Sequence, residues 1–197
     1  MVFINHTRKF IYIGNAKTGS TSIYIKLKAL CAKDDYEFRI SEKPYLYHMG
    51  IEDVLKNRPE LENYKRYGFV RNPHTRFMSI YLDGKTSSGH IKEWSRELLN
   101  YPTYENFCSH FHETKIKTDI HFRSCFKGMS INGVLAMDFI GKFETLQIDF
   151  DKMCEMIGLE GNTKLPVCNK TNHGKVSDSD INAFINELYK DDIEAFY

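Results

Sequence analysis

The stretch Phe10 to Leu30, FIYIGNAKTGSTSIYIKLKAL, constrains this chain more than any other, because an apolar run enters a Gly/Lys/Ser/Thr turn that opens an amphipathic helix. Phe10 to Ile13 reads as a short buried strand and Gly14 to Gly19 as the turn, while Ile23, Leu27 and Leu30 recur at helical spacing. The turn therefore falls at a helix N-terminus, where unpaired backbone N–H groups and the positive end of the helix dipole converge. Lys17 and the hydroxyls of Thr18, Ser20, Thr21 and Ser22 add donors around the same spot. A phosphate or sulfate suits such a turn.

Gly14 and Gly19 have the spacing of the nucleoside triphosphate loop, G-x-x-x-x-G-K-[ST], but Ser20 stands where that motif has its lysine. The loop's own lysine, Lys17, lies inside the turn, out of register with the usual lysine and magnesium-ligand pair. No apolar strand ends in an Asp suited to holding magnesium. ATP chemistry is thereby disfavoured.

A second constellation, Tyr67 to Tyr81 (YGFVRNPHTRFMSIY), again couples a short apolar strand to a polar turn and a helix, with Pro73 suited to the helix's first turn. Arg71 follows the carboxyl end of that strand, the side on which open α/β sheets bind ligands, and Ser79 lies two turns into the helix. An arginine fork with a hydroxyl makes a second phosphate site. The plainer alternative is that Arg71 and Arg76 pair with neighbouring carboxylates.

With both motifs in hand, the chain resembles the sulfotransferases that use 3′-phosphoadenosine 5′-phosphosulfate, and within them the carbohydrate O-sulfotransferase branch, with likeness to glycan 2-O-sulfotransferases. AKTGSTS (Ala16 to Ser22) resembles that family's 5′-phosphosulfate loop, and FVRNPHTRFMSIY (Phe69 to Tyr81) its 3′-phosphate motif. HFR (His121 to Arg123), DFIGKFETLQIDF (Asp138 to Phe150), LPVCNKTNH (Leu165 to His173) and DDIEAFY (Asp191 to Tyr197) are similar in order to later blocks, so the likeness spans nearly the whole chain.

The resemblance implies that Lys17 contacts the sulfate and the bridging oxygen, that Thr18, Gly19, Ser20, Thr21 and Ser22 cradle the 5′-phosphate, and that Arg71 and Ser79 hold the 3′-phosphate. It gives Lys170, in the polar loop Asn169 to Thr171, a donor-binding role. It implies His48, in YLYHMG between the two anion motifs, as the base that accepts the acceptor hydroxyl's proton. His121 and Arg123 are expected near the acceptor, although the family's H-x-R-P-Q block reads HFRSC here. A donor phosphorylated at both ends of its ribose needs two anion pockets, which the residues independently supply. Sulfuryl transfer asks for no metal, because lysine and helix-terminus donors can stabilise the leaving oxygen.

The expected fold is α/β and P-loop-like, a mostly parallel sheet flanked by helices on both faces, in one domain over residues 1–197. At 197 residues and 42% hydrophobic content the chain can bury a sizeable core. With 27 basic against 26 acidic residues, nothing argues for bulk binding to nucleic acid. No apolar run approaches the roughly 20 residues that span a bilayer, so membrane insertion is not expected and a cytoplasmic enzyme is. Five cysteines without C-x-x-C spacing read as reduced, packed thiols. Asp83 to Gly89 reads as a mobile loop and Ser177 as the cap of a final helix. The expected activity is sulfuryl transfer to a hydroxyl, on a carbohydrate; the alternatives are a P-loop kinase using magnesium and ATP, or a non-catalytic nucleotide-binding module. Oligomeric state stays open.

Overall fold

Val2–Asn5 (β1) and Phe10–Ile13 (β2) are buried along their whole length and pair antiparallel, Phe3 opposite Tyr12. They belong to a computed structural model that describes residues 1–38, 49–86, 93–168 and 178–197. The chain divides into two compact units, Met1–Arg71 with Cys125–Cys168, and Asn72–Ser124 with Asn169–Tyr197.

The first unit is built on a five-stranded sheet. Tyr36–Phe38 (β3) adds antiparallel to β1, while Lys65–Val70 (β4) pairs parallel with β2 and Phe139–Lys142 (β7) parallel with β4, giving the order β3-β1-β2-β4-β7. The sheet is mixed. Its parallel half is the part expected from the two strand-turn-helix motifs; the antiparallel half comes from the β1–β2 hairpin, whose first strand is too short and too near a polar turn to announce itself. A two-stranded hairpin, Ser130–Ile131 (β5) with Val134–Leu135 (β6), stands apart.

Alternation along the strands sends Phe3, Phe10, Tyr12, Tyr67 and Phe69 to one face, where they pack with Ile23 and Leu27 of Ser20–Leu30 (α1) and Phe150, Met153 and Cys154 of Leu146–Met156 (α6). The other face turns Gly68 toward the side chains of Met129 and Met137, and Ile51–Asn57 (α2) lies beside β5. Both faces being covered, the central strands read as continuous apolar runs rather than alternating ones. Cys125–Gly128 (α5) precedes Met129.

The second unit is helical. Asn72 caps Pro73–Thr86 (α3): its side-chain oxygen accepts from the His74 and Thr75 amides at 3.1 and 3.4 Å, and Pro73, lacking an N–H, opens the helix without leaving a donor unmet. α3 continues through Thr86, so Asp83 to Thr86 is helix rather than the expected loop; the rest of that expectation, like Ser177, lies outside the described residues. A 3-10 stretch, Glu93–Asn100, leads to Tyr104–His110 (α4), and Asp178 caps Ser179–Leu188 (α7) by accepting from the Asp180 and Ile181 amides before Lys190–Phe196 (α8). Phe77 sits at the hub of this core, its ring against Phe107, Phe111, Phe122, Phe184 and Tyr189. Burying each such ring is worth roughly 1.5–3 kcal/mol.

Gly141 of β7 pairs with Phe69 of β4, and a methyl group at Gly141 would collide with the Phe69 ring. Gly141→Ala is expected to destabilise the protein by about 1–3 kcal/mol, the usual cost of overpacking, read as a lower denaturant midpoint with an unchanged m-value.

Candidate anion-binding site

Parallel pairing fixes the direction of β2, β4 and β7, so all three strands finish at one edge of the sheet, with Ile13 level with Gly68 and Val70 level with Lys142. The segments that follow them are the Gly14–Gly19 turn, Arg71, and Phe143 to Thr145. Sequence supplied two of these three; the third meets them only because β7 joins β4.

The turn bends through two left-handed residues, Lys17 at φ 62° and Gly19 at φ 79°. For glycine this conformation is inexpensive; for lysine it costs of order 1 kcal/mol and persists only when neighbours enforce it. Two contacts enforce it. The Thr18 hydroxyl donates to the Asn15 carbonyl at 3.0 Å, and the Arg71 guanidinium donates to the Lys17 carbonyl at 3.2 Å. Thr18 is fully buried, so its hydroxyl hydrogen is committed to the shape of the turn and any donation to an anion falls to its backbone. Gly14 has no room for a side chain, since a Cβ there would stand 2.9 Å from the Ser20 Cβ, and Gly19 lies against the Leu146 side chain in the same way at 2.8 Å.

Gly19 stands at the N-cap of α1 and contributes no side-chain cap, and the helix's first turn holds no acidic residue. The amides of Ser20, Thr21 and Ser22 precede the first bond of the helical ladder, Ile23 N–H to Gly19 carbonyl at 3.2 Å. This helix end therefore offers oriented donors and positive potential with no built-in carboxylate to consume them.

Arg71 is 6% exposed, with its guanidinium 4.2 Å from the centre of the Phe143 ring. Stacking holds its plane while the bond to the Lys17 carbonyl ties it to the turn. Arg71 is thus part of the loop's support, a role the sequence gave no reason to assign. Phe143 and Leu146, which brace Arg71 and Gly19, are ordinary apolar residues whose part comes from tertiary packing alone.

Within the second unit, Ser79 is buried on α3. Arg76 is buried too, and its guanidinium lies 3.7 Å from the equally buried Asp192 carboxylate, donates to the carbonyls of His121 and Arg123, and sits over the Tyr189 ring. Arg76 therefore pairs with a carboxylate, as the plainer reading of this motif has it. Its bonds fix the backbone of HFR, and the Tyr189 hydroxyl adds a third by donating to the Phe122 carbonyl at 2.9 Å. The Asp119 carboxylate accepts the His121 amide at 2.9 Å and meets the His121 Nδ1 at 2.5 Å. Burial would raise the Asp119 carboxyl, but these bonds from His121 outweigh it and hold the group below its usual range. His48 and Lys170 lie outside the described residues.

The architecture is that of an α/β protein with a glycine-containing loop at a strand-to-helix turn. A model of the sulfotransferase family matches residues 1–197, and the chain belongs to that family. No curated protein matches it significantly. Family membership makes it a transferase, with sulfuryl transfer as the reaction class and a P-loop-like fold. Among the described residues, no helix is long and apolar enough to cross a membrane.

Removing one partner of a buried pair leaves the other charge stranded, which typically costs about 3–5 kcal/mol. Asp192→Ala is expected to lose stability on that scale in chemical denaturation, and Arg76→Ala with Asp192→Ala together less than the sum of the two.

Proposed function

We propose that the protein transfers a sulfuryl group from 3′-phosphoadenosine 5′-phosphosulfate to a hydroxyl, on a carbohydrate acceptor. The observation that carries this reading is the turn at the start of α1, where a left-handed Lys17 and uncapped helix amides form a donor cradle without an acidic residue in the helix's first turn. A group ending in phosphosulfate fits such a cradle. The nucleotide, when bound, supplies the sulfuryl group.

In this reading the amides and hydroxyls from Thr18 to Ser22 bind the 5′-phosphate, with Thr18 acting through its backbone. Lys17 brings its ammonium to the oxygen that departs, where negative charge grows as the bond to sulfur breaks. Arg71 and Ser79 bind the 3′-phosphate, a role that rests on the R-N-P and R-x-x-S motif, and Lys170 binds the donor as well. His48 takes the acceptor's proton, an imidazole being suited to that step near neutral pH. His121 and Arg123 bind the acceptor, with Asp119 fixing the tautomer and orientation of the His121 ring.

Calorimetric titration with adenosine 3′,5′-bisphosphate in the absence of metal is expected to show binding that Lys17→Ala and Arg71→Ala each weaken by about tenfold or more, as loss of a charge-assisted hydrogen bond should. Preference for ATP with magnesium would replace this reading with a kinase, and binding of neither nucleotide would refute it. His48→Ala is expected to lower kcat by about 10²- to 10⁴-fold, the range for a positioned base, with affinity for the bisphosphate retained. Full turnover in that variant would remove His48 from the mechanism.

A further inference from the structure

Asn15 lies inside the anion-binding turn, between Gly14 and Ala16, and is 3% exposed. Its side-chain Nδ2 is buried and has no hydrogen-bond partner among the described residues. The backbone of the same residue is tied down, because its carbonyl accepts the Thr18 hydroxyl. A buried amide nitrogen with nothing to donate to is a standing cost to the fold. A leucine of nearly the same shape would escape that cost. The N-cap of α1, Gly19, stands four residues further on without a side-chain cap, and the turn between them is the one the donor reading gives to an anion.

We infer that Asn15 is a donor-binding residue of this site, its carboxamide N–H group donating to an oxygen of the phosphosulfate held by the loop. The inference rests on the donor reading given above and deepens it. An anion oxygen is the acceptor that an amide in this position lacks, and a neutral donor gives specificity for an oxyanion without adding a further charge to a buried loop. Asn15 thereby joins Lys17 and the α1 amides, converting an apparent packing defect of the free protein into a contact made only when the donor is bound. Binding and apo stability should respond to its removal in opposite senses.

The test uses the full chain and two variants. Asn15→Leu keeps the shape and removes every polar atom; Asn15→Ala removes the side chain. Each is titrated with adenosine 3′,5′-bisphosphate and with 3′-phosphoadenosine 5′-phosphosulfate, and its thermal midpoint is read without ligand. The expected result is affinity weakened about tenfold or more in both variants, with the ligand-free midpoint of Asn15→Leu equal to or above that of the wild type. Loss with both nucleotides places the contact on the 5′-phosphate, and loss with the phosphosulfate alone places it on the sulfuryl oxygens. Unchanged affinity for both overturns the inference, as does a loss of affinity that tracks a lowered ligand-free midpoint in both variants, which would make Asn15 a structural residue. A wild type that binds neither nucleotide fails at the donor reading itself, a result distinct from equal binding by wild type and variant.

Discussion

Everything at the candidate site depends on the parallel pairing of β2 with β4. Had the two strands run antiparallel, the turn after Ile13 and the arginine after Val70 would leave from opposite edges of the sheet. Because they run together, Ile13 is level with Gly68, and the two segments emerge side by side, close enough for Arg71 to bond the Lys17 carbonyl. β7 extends the same logic, bringing Phe143 to the guanidinium and Leu146 beneath Gly19. Three strand ends, none informative alone, combine into a support for one strained loop.

That support shows why the loop can hold a left-handed lysine. The conformation is unfavourable by itself, and the sequence around it gives it no relief beyond the neighbouring Gly19. Relief comes from hydrogen bonds to the turn's own carbonyls: one from Thr18 within the loop, one from Arg71 more than fifty positions away. Meeting this cost in the free protein fixes the positions of the donors along the turn, and preorganised donors are what give an oxyanion site its strength. Arg71 therefore has a structural duty in the turn.

The second unit holds a buried ion pair. Arg76 is buried with Asp192 and spends its guanidinium on the backbone around His121 and Arg123. Two arginines five positions apart in one motif thus support different segments, Arg71 the turn through the Lys17 carbonyl and Arg76 the backbone around His121 and Arg123. Their sequence contexts, R-N-P and T-R-F, do not foretell this, since the partners come from distant parts of the chain.

Sequence by itself determined the strand, turn and helix at residues 10–30 and the strand, turn and helix around Pro73, because periodicity and turn formers act over a few positions and are read locally. It also determined the family, through ordered motifs. The β1–β2 hairpin that makes the sheet mixed, the bracing of the turn by Arg71 and Phe143, the commitment of the Thr18 hydroxyl, the Arg76–Asp192 pair and the unmet amide of Asn15 were decided only by tertiary structure. Each of these depends on which distant groups share a small volume. Burial and hydrogen-bond partnership are properties of that volume, and no window of sequence contains them.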